Sequence, residues 1–291
     1  MSATIRVECL KMRREWLFVL LFALLSGSAH GQWLNLPTPG TPRTRDGKLN
    51  LSARAPRTAY KKPDLSGVWH VEPTPMAEMK RLFGEHADAT DVPGMELDTI
   101  SKYGVNILQD FKPGEAPLRP AALATMKQRE GLDLTSSRCL PFGMPLSTML
   151  SEPVKIIQSP GLMAMLFEAE DKYRQIYTDG RNLPREFDQP AWNGYSVGRW
   201  EGETLVVETA GFNDKSSLDI MGHPHSERLR VVERYHRRDF GHLDVDMTFD
   251  DPVMYTKPFS IKVTYDLWAD SDIFEFICSE NEKDRAHTAQ N

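Results

Sequence analysis

The chain has 291 residues, 40% of them aliphatic or aromatic and 26% charged, with a formal charge of −6. That balance is ordinary for a globular fold and excludes a fibrous or fully disordered chain. The acidic surplus argues against a nucleic acid or an anionic membrane as partner.

Residues 1–31 have the layout of a cleavable export signal. Lys11, Arg13 and Arg14 form a basic start, Trp16 to Leu25 an apolar run of ten, and Ser26 to Gly31 a stretch of small residues for cleavage. Ten apolar residues are too few to cross about 30 Å of hydrocarbon, so no membrane span is expected after cleavage. The expected location is the periplasm or the cell exterior; an N-terminal membrane anchor is the alternative. Cys9 leaves with the signal, and Cys139 and Cys278 remain. In an oxidising compartment two cysteines often pair, so a Cys139–Cys278 disulfide is expected, with two separate buried thiols as the alternative. There is no Cys-x-x-Cys pair and no Cys/His cluster with metal-ligand spacing, and neither metal nor cofactor is expected.

Residues 32–63, rich in Pro, Thr, Arg and Lys, read as an extended, poorly packed arm, with no repeat of fixed period visible. A single barrel domain is expected over 64–282, with a polar tail at 283–291. The domain opens on a strand at Gly67-x-Trp69. Residues 74–136 form a helical or loop insertion, in which 75–86 and 120–130 suit short helices separated by Pro and Gly. From Glu152 onward apolar and polar residues alternate, with turn residues at short intervals. Strands are expected at 154–158, 162–169, 173–178, 195–200, 204–209, 228–237, 242–249, 259–268 and 273–278, which with the first makes about ten. Successive hairpins imply an antiparallel meander, and closure removes its exposed edges. The expected fold is mainly β, an up-and-down antiparallel barrel of about eight to ten strands with the 74–136 segment over one mouth.

Several stretches resemble a family of exported bacterial proteins. They are Asp179-Gly180-Arg181, Trp192-Asn193-Gly194, Val197 to Val207 (VGRWEGETLVV), Cys139 to Pro145 (CLPFGMP), Pro224-His225-Ser226, Glu233-Arg234-Tyr235, Asp251-Pro252 and Cys278 to Asn281 (CSEN). The resemblance covers about residues 63–282. It implies export and a lipocalin-like barrel, without an assigned reaction. Gly67-x-Trp69 is similar to the opening strand of lipocalins.

Strand alternation supplies the candidate chemistry. Leu229, Val231, Glu233 and Tyr235 share the apolar face of their strand, which should point inward. An enclosed carboxylate needs a partner or a raised pKa, so Glu233 suits acid–base work; a structural ion pair with an inward arginine is the alternative. His225, on the loop before that strand, is the candidate proton shuttle, with a polar loop histidine of no catalytic role as the alternative. His223 and His225 form a His-x-His pair, but carboxylate spacing does not support a metal site. Tyr177 shares a face with Tyr173 and Gln175 and, with Arg181, could hold the oxygen-bearing end of a ligand. Asp179 precedes Gly180 and fits a turn equally well. Asp251 shares parity with Val245, Met247 and Phe249 and should sit at the inner rim. The expected catalytic set is thus Glu233, His225 and Tyr177, and the substrate-binding set Arg181, Asp179, Asp251 and Tyr235.

Nucleophile-elbow, P-loop, dinucleotide and zincin motifs do not occur. The leading expectation is an exported barrel enzyme that binds an apolar or aromatic small molecule. It would perform cofactor-independent acid–base chemistry of the lyase, isomerase or hydratase type. The alternatives are a non-catalytic carrier or scavenger and, should bulky side chains fill the interior, an envelope interaction protein.

Overall fold

Residues 36–84, 100–130, 140–169 and 172–275 are described by a computed structural model. The export-signal segment, Cys139, Cys278 and the polar tail lie outside the described residues. Alternating apolar residues build nine strands: β1 (Gly67–Val71), β2 (Val154–Ser159), β3 (Leu162–Phe167), β4 (Lys172–Tyr177), β5 (Tyr195–Glu201), β6 (Thr204–Ala210), β7 (Arg230–Arg237), β8 (His242–Asp250) and β9 (Phe259–Leu267). They close in chain order, with β9 pairing back onto β1. The expected strand at 273–278 does not form over its described residues, 273–275.

The barrel is mixed, which corrects the expectation of antiparallel pairing throughout. β4 and β5 run parallel, joined only through Ile176 with Ser196 and Tyr177 with Val197, while every other neighbouring pair is antiparallel. Parity explains it. In a ring of nine strands, direction cannot alternate at every step, so at least one pair must be parallel. A parallel pair needs a crossover rather than a tight hairpin, and residues 178–194 provide it. Asp179-Gly180 therefore begins a crossover, not a hairpin turn.

The interior positions form one buried cluster that includes Trp69, Met165, Val207, Tyr235, Met247 and Phe249. The described residues also form three α-helices, α1 (Met76–Phe83), α2 (Lys102–Val105) and α3 (Pro120–Arg129), and Met79 of α1 packs with Ile100 and Val105 in a smaller cluster of its own. Pro120 suits the first turn of α3, where its missing N–H would be unpaired in any case. Tyr103, Ile107 and Leu108 from the insertion, with Met144 and Met149 after it, belong to the same cluster as the barrel interior. Tyr265 Oη donates to the Thr148 carbonyl at 2.8 Å, tying this cover to β9. Elsewhere Arg237 lies over the Trp69 ring at 4.8 Å and donates to the carbonyls of Asp64, Ser66, Asp239 and Phe240.

The described part of the arm carries local hydrogen bonds and contains a short repeat. Pro42-Arg43-Thr44 and Pro56-Arg57-Thr58 begin two copies of one motif 14 residues apart (57 − 43). In each copy the threonine N–H donates four residues ahead, Thr44 to Lys48 at 2.8 Å and Thr58 to Lys62 at 2.9 Å. The proline carbonyls accept from Asn50 and Asp64. The left-handed position is Gly47 (φ 82°) in the first copy and Lys61 (φ 63°) in the second. Arg43 then pairs with Asp270 after β9, and Arg57 with Glu203 in the β5–β6 turn. The repeat escapes notice because glycine and leucine in one copy become lysine and proline in the other.

Candidate functional site

β7 points Val231, Glu233, Tyr235 and Arg237 inward, as alternation requires. Glu233 is fully buried. Its partner is Arg174 of β4, whose Nη1 donates to Oε1 at 3.0 Å and whose Nη2 donates to Oε2. Tyr235 Oη donates to Oε1 at 2.7 Å. The remaining donors of the arginine reach Ser196 Oγ of β5 (3.0 Å) and Thr209 Oγ1 of β6 (2.8 Å). One guanidinium therefore ties β4 to β5, β6 and β7 behind the two-residue parallel seam. Burial opposes the charge of Arg174, but the facing carboxylate outweighs it and raises the arginine pKa. Burial likewise raises that of Tyr235, which stays a neutral donor. The cluster is an ion pair with its hydrogen bonds made, the structural alternative for Glu233.

His225 is buried, 1% exposed, and engaged elsewhere. Nε2 meets Ser216 Oγ at 2.9 Å, Nδ1 meets the Ser226 carbonyl at 3.3 Å, and the ring packs edge-on to Phe212. Burial lowers its pKa and keeps the imidazole neutral. The Ser216–His225 bond flanks the Ser217–Pro224 bridge, so it fastens the two sides of a loop. His223 of the His-x-His pair is taken by Asp219. Asp251 accepts from the N–H and Oγ of Ser226 and from the N–H groups of Val253 and Met254, so it organises the turn after β8.

On β4 the inward residues are Arg174 and Ile176, which puts Tyr173, Gln175 and Tyr177 outside. Tyr177 stacks on Tyr195 with centroids 5.3 Å apart, and the Arg181 guanidinium covers the Tyr177 ring at 3.8 Å. Arg181 pairs with Asp179 at 2.6 Å and donates to Tyr195 Oη at 3.1 Å; this partner lowers the Asp179 pKa. Tyr177, Arg181 and Asp179 thus form one outer cluster, Glu233 and Tyr235 an inner one, and His225 and Asp251 brace a third region. The expected site is not brought together as a unit.

What the outer cluster borders is a groove of about 560 Å³ along the seam. Among the described residues β4 has no strand neighbour on this side beyond the two paired positions, and the groove borders that edge. Tyr173, Tyr177, Tyr195 and Trp192 supply rings, Gln175 and Asn193 amides, and Lys172 a cation, while Arg174 borders the groove with its guanidinium turned inward. Asn193 Nδ2 reaches the Tyr173 carbonyl at 3.3 Å, while its enclosed Oδ1 has no partner among the described residues. Trp192, Tyr195, Lys172 and Arg174 were not among the expected site residues. Nothing local announced any of the four, since β4 is polar on both faces.

No family model, curated protein or solved structure matches the chain.

Proposed function

We propose that the chain is an exported, lipocalin-like barrel that binds a small aromatic molecule in the β4–β5 groove and acts as a carrier or scavenger. The observation that carries this reading is the aromatic wall of Tyr173, Tyr177, Tyr195 and Trp192 around a groove of about 560 Å³, the size of a small-ligand site. Tyr173 is 66% exposed, a large ring left to water beside that space. Flat rings and amides favour a flat ligand with a polar edge. The carrier reading outranks acid–base catalysis because Glu233 already accepts from Arg174 and Tyr235. An enzyme of the lyase, isomerase or hydratase type is the second reading. It is favoured by one contact: Arg174, a residue that borders the groove, also holds Glu233 in the interior.

The test is calorimetric titration of the chain with 2-naphthol, alongside Tyr173→Ala and Trp192→Ala. Saturable binding weakened about threefold to tenfold in each variant is expected, the loss of one aromatic pair worth ~0.5–1.5 kcal/mol. Binding indifferent to both changes would remove the groove from the argument. Conversion of a bound aromatic ether or alkene, lost in Glu233→Gln with the fold retained, would favour the enzyme.

A further inference from the structure

We infer that the ligand class of this groove is an aryl carboxylate, a flat ring bearing one acid group, recognised by Lys172. The inference rests on the groove reading above and adds the charge. Lys172 opens β4 and lines the groove, where it is half-buried. Among the described residues its ammonium makes no hydrogen bond or ion pair. The cations around it are spoken for. Arg174 is consumed by Glu233, Ser196 and Thr209. Arg181, at the far end of the strand, is held by Asp179. Among the described residues the lining includes no aspartate or glutamate.

The chain as a whole is acidic, with 41 carboxylates against 35 lysines and arginines. An ammonium partly removed from water gains most from an oxyanion that it can donate to directly. The rings of the same groove set the rest of the ligand. Tyr173 and Trp192 offer faces for a second ring, whereas an aliphatic acid would leave them unmatched. A cationic aromatic would meet Lys172 with like charge and find no acid among the described residues of the wall. Complementarity of both charge and shape therefore selects a ring carrying a carboxylate.

The experiment compares 2-naphthoate with 2-naphthamide, the same ring without the charge, by titration calorimetry on the full chain, Lys172→Met and Lys172→Arg. The unaltered chain should bind naphthoate about tenfold or more tightly than the amide, the scale of a hydrogen bond to a charged group. Lys172→Met should bring the two ligands level by weakening naphthoate alone, and Lys172→Arg should restore most of the preference. Raised salt should weaken naphthoate and leave the amide unchanged. Equal binding of both ligands, still sensitive to Tyr173→Ala, would overturn the charge assignment and leave the groove standing. Failure of both ligands to bind would overturn the two together.

Discussion

Arg174 on β4 and Glu233 on β7 meet in a bidentate pair across the barrel interior, with side chains 1% and 0% exposed. Three strand steps separate them around the wall, and the first of those steps is the weak parallel seam. Removing one partner leaves an uncompensated buried charge. Arg174→Met alone, or Glu233→Gln alone, should cost about 3–5 kcal/mol. The double change Arg174→Met with Glu233→Leu should recover much of that loss, since an apolar pair avoids desolvating two ions. Urea unfolding of the three variants measures this. Additive losses in the double variant would contradict the pairing.

The seam also depends on Gly194, the residue before β5. Its φ is +61°, and a Cβ there would lie 2.8 Å from the Ala210 carbonyl oxygen and 2.8 Å from Thr209 Cγ2. A backbone oxygen cannot swing aside as a side chain can. Gly194→Ala should therefore destabilise the fold by about 1–3 kcal/mol. It should also weaken ligand binding in the groove, because Trp192 and Asn193 precede it directly. Full stability with unchanged binding would show that the strand start tolerates a shift.

The inward direction of Glu233 was legible in the sequence because Leu229, Val231 and Tyr235 surround it at period two. Its partner was not. β4 reads Lys-Tyr-Arg-Gln-Ile-Tyr, polar on both faces, and only a carboxylate three strands away decides which face turns in. The tyrosines consequently looked like cavity lining and are the outer wall of a groove. His225 was expected near Glu233 because both precede or lie on β7, but the loop folds onto Ser216 and Phe212 instead. The parallel pair was hidden by Asp179-Gly180, a local turn signal that says nothing about whether the chain returns at once or after a crossover. Closure itself was legible, since a long run of hairpins must hide its edges.

The twin clips allow a within-molecule comparison. Gly47 and Lys61 occupy equivalent left-handed positions, and only the lysine carries the Cβ penalty. Lys61→Gly should be neutral or stabilising by up to about 1 kcal/mol, with part of the gain offset by greater freedom in the unfolded chain. Gly47→Lys should be destabilising. Arg57→Ala should have a small effect that shrinks further with salt, because its pair with Glu203 is exposed. Thermal melts at low and high salt separate the backbone effect, which salt leaves alone, from the ionic one.

His225 gives the fold a pH dependence of defined sign. Burial lowers its folded pKa below the ordinary 6.5, against the smaller opposing pull of the Ser226 carbonyl and Asp251. Above the unfolded pKa the imidazole is neutral in both states and contributes no slope. As pH falls below about 6.5, the unfolded chain takes up a proton that the folded chain refuses, so stability is lost until the folded pKa is reached. His225→Gln removes that proton from the balance and keeps a side chain that can still bond Ser216 Oγ. Urea midpoints at pH 7.5, 6.5 and 5.5 should fall less steeply in the variant, by at most about 1.4 kcal/mol per pH unit. Parallel curves for the two proteins would mean that His225 is protonated equally in both states, which its enclosure beside Phe212 argues against.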